Sequence, residues 1–257
     1  MAMSDAATTP FAGRTAVVTG GTKGIGRASS LALARKGAHV IIAARDCEAG
    51  EAVVDEIAAE GGRASFIRTD VTSSDDLAAL HKTILARHGR LDIAFDNAGY
   101  QERRAPLVEQ TGAVFDKVFD TNVKAVFECL RLQIPMMAAA GGGAIVVNAS
   151  VSGLRNPNPG FSVYSASKAA VISLVRSAAM EAAEQGVRIN LVAPGRVKTE
   201  MMLSSRVMDM EAVAAGLPIR RMGEPEEVAE AVTWLASDAA SFVVGHVLCV
   251  DGGFMTL

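Results

Sequence analysis

Tyr164 and Lys168 stand four positions apart in the stretch YSASK. On a helix, residues at i and i+4 share a face, so a phenol and an ammonium would point the same way. A free phenol titrates near pH 10, and proton transfer near neutrality asks for a shift of about 3 units, or about 4 kcal/mol. A neighbouring cation supplies part of that by favouring the phenolate. An isolated Tyr-x-x-x-Lys is ordinary helix chemistry, so its surroundings decide.

A second group lies in TGGTKGIG, where Gly20, Gly24 and Gly26 follow an apolar run and open a helical pattern, with Thr22, Lys23 and Ile25 completing the turn. Without side chains the backbone can approach a pyrophosphate, and the N–H groups at a helix start bind it. The spacing G-x-x-x-G-x-G differs from the commoner G-x-G-x-x-G. The next apolar run ends in IIAARD. An acid at that strand end would bind ribose hydroxyls, whereas a base would accept a 2′-phosphate. Counting along the strand places Ala44 where the acid is expected, with Arg45 beside it and Lys23 in the glycine turn. NADP(H) is therefore the expected cofactor. NAD(H) is the alternative, through Asp46, if the register slips by two.

The elements that must hold these groups alternate. RTAVVT, AHVIIAA, RASFIRTD, LDIAFDNAG, GAIVVNAS and VRINLVAPG read as strands, separated by helical patterns that include a long stretch from about Ala113 to Ala140 and another from Tyr164 to about Gln185. A capped helix, EPEEVAEAVTWLASD, and a last strand, GHVLCV, follow. Strands that are apolar on both faces and alternate with helices predict an α/β fold, a single-domain, Rossmann-like, doubly wound parallel sheet with helices on both faces. The polar and glycine-rich signals fall at strand ends, where ligands bind in such sheets. Residues 1–12 are expected to form a flexible N-terminal tail before a catalytic domain spanning 13–257.

Composition narrows the partners. Of 257 residues, 50% are hydrophobic and 21% charged, with a net charge of −3 and no basic stripe, which argues against nucleic acid and anionic membranes. Cys47, Cys129 and Cys249 show neither a disulfide framework nor zinc spacing, and no run is apolar enough to span a bilayer. A cytoplasmic protein without a metal is expected.

The glycine turn, the NAG stretch, a serine after the fifth strand and Tyr-x-x-x-Lys, in that order, resemble the short-chain dehydrogenase/reductase family over about residues 14 to 253. The resemblance implies an NAD(P)-dependent oxidoreductase interconverting an alcohol and a ketone or aldehyde. Tyr164 would be the general acid/base. Lys168 would lower the Tyr164 pKa and hold the nicotinamide ribose. Ser150 would bind the substrate oxygen, with Ser152 as the rival serine. Asn122 resembles the fourth catalytic residue, which props a water linked to the lysine. Asn97, Ala98 and Gly99 resemble the stretch beneath the adenine ribose, and Asp70 with Val71 the adenine-contacting pair. Pro194 and Gly195 would shape the turn that meets the nicotinamide, with Val197 and Thr199 near its carboxamide. In one departure, Val147 precedes Asn148 where the family often has asparagine one place earlier. The four-residue spacing also disfavours enoyl reduction.

Specificity would come from the segments around Gly99, Ser150 and Pro194. Met201, Met202, Met208 and Met210 offer a pliable apolar wall, and Arg103, Arg104 and Arg206 could bind an acidic group. The apolar coverage of the helix at 164–185 exceeds one core stripe, which predicts a homotetramer, with a dimer as the fallback. The alternative function is a catalytically silent NAD(P)-binding sensor or scaffold of the same fold.

Overall fold

The computed structural model describes residues 9–155, 159–204 and 209–257. In chain order the elements are β1 (Thr15–Thr19), α1 (Gly24–Arg35), β2 (His39–Ala44), α2 (Cys47–Ala59), β3 (Arg63–Arg68), α3 (Ser74–His88), β4 (Ile93–Asp96) and α4 (Gly112–Phe119). They continue as α5 (Ala125–Ala139), β5 (Gly143–Asn148), α6 (Ser162–Ala183), β6 (Val187–Pro194), α7 (Glu200–Ser204), α8 (Met210–Ala215), α9 (Pro225–Ala236) and β7 (Val247–Val250). The strands pair in the order β3-β2-β1-β4-β5-β6-β7. Every pair is parallel, from His39 against Arg63 at one edge to Pro194 against Val250 at the other.

Alternation along the strands divides the interior. Val17, Ile41, Ile145 and Val147 pack with α3, α5 and α6, while Ala16, Val18, Ile42 and Val146 pack with α1 and α9 on the opposite face. A slip of one residue in any strand would exchange these sets, so two buried faces fix the register more firmly than one would.

Local chemistry sets the helix ends. Asp46 caps α2 by accepting the Ala49 N–H at 3.1 Å, and Ser73 caps α3 by accepting that of Asp76. Gly89 closes α3 at φ +73°, and Pro225 opens α9 inside a Glu224–Glu227 capping box. Between α4 and α5 the expected single helix widens into a π segment, Asp120–Lys124. The N-terminal boundary needs correction as well. Phe11 is wholly buried and its N–H donates to the Lys36 carbonyl, so the packed unit begins at or before Phe11 rather than at 13. Residues 1–8 of the expected tail lie outside the described residues.

Candidate active site

The carboxyl ends of β1, β2, β3 and β4 border a cavity of about 500 Å³ whose lining includes Lys23, Arg45, Asp70, Ala98 and Lys117. Its floor is the glycine turn. A Cβ added to Gly26 would lie 2.2 Å from the Gly20 carbonyl oxygen and 2.5 Å from Asn97 Nδ2, so no other residue fits. Lys23 is the N-cap of α1 in extended conformation and makes no side-chain cap, which leaves the first N–H groups of the helix for an anion. Ile25 packs its side chain toward the core behind the turn. At the far side, Asp70 accepts the Thr72 N–H and hydroxyl at 3.0 and 2.8 Å, and these bonds hold its carboxyl below the usual range. Val71 packs against the core below it. A cradle that only glycine fits, an uncapped helix start and a cavity reaching from the glycine turn to Gly99 and Tyr100 suit a dinucleotide.

Ala44 ends β2 where the sequence placed it, Arg45 is exposed at the cavity, and the Asp46 carboxylate is engaged as the α2 cap. Tyr100 and Lys117 border the same cavity, with the ammonium 4.2 Å from the ring centroid. Neither was singled out in the sequence, because their meeting depends on the turn between β4 and α4.

Thr19 was also missed, although it organises the cleft. Its buried hydroxyl accepts the N–H groups of Asn97 and Ala98 at 3.0 and 3.1 Å. Asn97 Nδ2 returns to the carbonyls of Thr19 and Gly20, and Asn148 Nδ2 donates to Asn97 Oδ1 at 2.9 Å. The network continues to α6, where Lys168, 4% exposed, donates from Nζ to the Asn148 carbonyl at 2.6 Å. The departure at Val147–Asn148 thus places an asparagine between the cofactor stretch and the lysine. Asn122, fully buried in the π segment, accepts the Tyr100 N–H at 2.7 Å and donates to the Tyr100 carbonyl and to Ser167 Oγ. Its Oδ1 and Lys168 Nζ both approach Gly99, at 3.5 and 3.7 Å from where a Cβ would stand.

Tyr164 and Lys168 share the first turns of α6, with Nζ 5.8 Å from the ring centroid. The Ser150 hydroxyl hydrogen-bonds the phenol. Ser152 serves instead through its main chain, donating its N–H to Ser150 Oγ at 3.1 Å. Of the two candidate serines, Ser150 is the one beside Tyr164.

The electrostatics correct one expectation. Burial raises the Tyr164 phenol above its ordinary value, the Ser150 hydrogen bond opposes this, and the Glu102 carboxylate adds to it. The sequence expected Lys168 to lower that phenol. Its ammonium instead faces a carbonyl, and burial brings its own pKa down to about 8. Desolvation is the leading cause of both shifts. Glu102 itself was passed over because nothing in YQERRAP distinguishes it from a surface acid.

Beyond β6, Gly195 lies so close to Asp251 that a Cβ would come within 2.8 Å. Thr199 stands over Gly24, its Cγ2 3.1 Å from the corresponding position. The Val197 side chain is buried in the core, so any carboxamide contact falls to its main chain. Met201 is exposed and Met202 and Met210 are half-buried, while Met208 and Arg206 lie outside the described residues. Arg104 donates from Nε to the Pro159 carbonyl, and Arg103 is exposed.

No helix among the described residues is long and apolar enough to cross a membrane. The profile of a family described as Enoyl-(Acyl carrier protein) reductase matches residues 20–255. A cis-4-hydroxycyclohexanecarboxylate dehydrogenase of Sinomonas cyclohexanicum is 44% identical over 95% of this chain and 97% of its own length. An A-factor type gamma-butyrolactone 1'-reductase (1S-forming) of Streptomyces virginiae is 40% identical over 95% and 96%. Among solved structures, a 7 alpha-hydroxysteroid dehydrogenase complexed with NADH and 7-oxo glycochenodeoxycholic acid superposes with a TM-score of 0.91 at 34% identity, covering 98% of each chain.

Proposed function

The chain belongs to the short-chain dehydrogenase/reductase family, as an NAD(P)-dependent oxidoreductase of alcohol and carbonyl groups, and from that premise we propose that it uses NADP(H) on a ring-borne secondary alcohol or ketone. The observation that carries the proton chemistry is the convergence of Ser150 and Tyr164, with Lys168 one turn further along α6. Tyr164 exchanges a proton with the substrate oxygen and Ser150 steadies that oxygen by donating to it. Lys168, Thr19 and the Asn97–Gly99 stretch position the nucleotide side of the cleft, and Asn122 ties that stretch to α6. When bound, the nicotinamide supplies or accepts the hydride.

The preference for the phosphorylated cofactor is supported by Lys23 and Arg45 at the cavity, Ala44 at the end of β2 and the engagement of Asp46 as a helix cap. The preference for a ring is supported by the Sinomonas relative, named for a hydroxycyclohexane, and by the steroid bound to the structural neighbour. The chain is further proposed to act as a homotetramer, since Phe127 on α5 and Met180 on α6 are 46% and 77% exposed, and Trp234 and Phe242 offer a second apolar surface. Sedimentation as a monomer at micromolar concentration would exclude that assembly. The test of the main reading is a panel of cyclic and open-chain alcohols and ketones followed at the nicotinamide absorbance with each cofactor. Turnover of cyclohexanol or 4-hydroxycyclohexanecarboxylate with NADP+ at least about tenfold more efficient than with NAD+ is expected from two cations at one phosphate. Equal or reversed efficiency overturns the cofactor assignment, and turnover confined to open-chain substrates overturns the ring assignment.

A further inference from the structure

A helix of 22 residues starts at Ser162 with an apolar residue, Phe161, at its N-cap and no side-chain cap of its own. The missing acceptor comes from 62 residues earlier in the chain: Glu102 Oε1 takes the Tyr164 N–H at 3.0 Å. Glu102 is only 3% exposed, and its second oxygen, Oε2, has no hydrogen-bond partner among the described residues. Glu102 also ends a short strap, residues 100–102, whose other end is clamped through both main-chain groups of Tyr100 by Asn122. The strap begins directly after the Asn97–Gly99 stretch at the nucleotide cavity.

We infer that Glu102 is a positioning residue for the phenol of Tyr164: one buried carboxylate oxygen fixes the first turn of the helix that carries it, and the charge of the same group acts on the hydroxyl from that fixed place. A cap alone does not call for an acid here. A neutral acceptor would satisfy the N–H without burying a charged group one of whose oxygens lacks a donor, which is the costlier arrangement. The carboxylate also complements the positive end of the α6 dipole. Among the described residues, the charged groups tied to the phenol are Glu102 from the strap and Lys168 from its own helix. Ser150 from the end of β5 and Asn122 from the π segment face this region as neutral groups. Burial and Glu102 act on the phenol in the same direction, and Ser150 acts against them.

The inference rests on Tyr164 being the proton-transferring group, and two variants separate the parts of it. Glu102→Gln keeps an acceptor for the Tyr164 N–H and removes the charge, whereas Glu102→Ala removes both. Alcohol oxidation requires the phenolate, so in Glu102→Gln the rise of kcat/KM for cyclohexanol with pH moves to lower pH while the KM for NADP+ stays unchanged. Glu102→Ala loses about tenfold more in kcat than Glu102→Gln, because the phenol is no longer held in place. A pH profile of Glu102→Gln that coincides with that of the unmodified enzyme, or that moves to higher pH, overturns the inference and leaves only a helix cap. A second readout needs no substrate. The chain has two tyrosines, so in a Tyr100→Phe background the phenolate absorbance reports Tyr164 alone. Its titration moves to lower pH with Glu102→Gln, and an unmoved titration refutes the inference even if no alcohol is turned over. Absence of turnover with a shifted titration points instead to an error in the proposed substrate.

Discussion

The two ends of the sheet use the same kinds of polar residue in opposite ways. At the amino ends of the strands, Arg14 pairs with Asp238 at 2.7 Å and Arg90 with Asp92 at 2.5 Å. Asp92 also accepts the Thr15 N–H at 2.8 Å, and Arg188 donates to the carbonyls of Leu235, Ser237 and Ala240 at 2.9 to 3.0 Å. At the carboxyl ends, Glu102 Oε2, Asn148 Oδ1 and Asp96 Oδ2 are buried without partners among the described residues, and burial brings Asp96 up to about 7. The polar groups named at the amino ends are satisfied by one another and by main-chain carbonyls. The three at the carboxyl ends keep hydrogen-bonding capacity in reserve, and the raised carboxyl of Asp96 marks that end.

Single substitutions can break this contrast. The largest effect is expected for Tyr164→Phe, which should lower kcat by about a thousandfold while leaving NADP+ affinity within about threefold; retained turnover would strip the carboxyl end of its assigned chemistry. Arg188→Met should destabilise the fold by about 3 kcal/mol, because three carbonyls lose their donor, with turnover per folded molecule intact. Denaturant unfolding measures it, and a loss of activity without a loss of stability would reverse the roles of the two ends. Lys168→Met should do the opposite. Burial lowers Lys168 to about 8, so between that pH and its usual value the folded chain binds fewer protons than the unfolded one, and stability rises with pH through that window. Below about pH 8 the buried ammonium costs the ligand-free protein about 2 kcal/mol after allowance for its bond to Asn148. The variant should therefore gain about that much at pH 7, lose the gain toward pH 10, and be inactive; a destabilised variant at pH 7 would erase the distinction.

Much of the scaffold could be read from residue order alone. β1, β2 and β5 are runs of β-branched and small apolar residues that must be covered on both faces, and glycine at 26 is demanded by the Gly20 carbonyl whatever lies beyond it. Tyr164 and Lys168 were legible because helical spacing is a local rule. What escaped was non-local or off the rule. Glu102 reaches its N–H from 62 residues away, so its meaning exists only once the strap and α6 are side by side. The weight of burial on Tyr164 was invisible for a related reason: four residues of spacing state how near a cation is, and nothing about how dry the site is. Phe11 fell within the expected tail, although one aromatic ring in a core pocket is enough to end a tail. The π segment escaped because periodicity counts apolar positions and does not register a turn that is one residue too wide.

That wide turn has a consequence for how the molecule tolerates changes of length. An α-helix advances about 100° per residue, so one surplus residue between α4 and α5 rotates the two halves by that angle relative to an unbroken rod. Asn122 reaches Tyr100 and Ser167 from within this offset. A chain shortened by one position between Asp120 and Lys124 would regain a straight rod, swing either the amide or the buried Val118 away from its neighbours, and uncouple the nucleotide stretch from the proton-transfer helix without altering any residue that touches substrate.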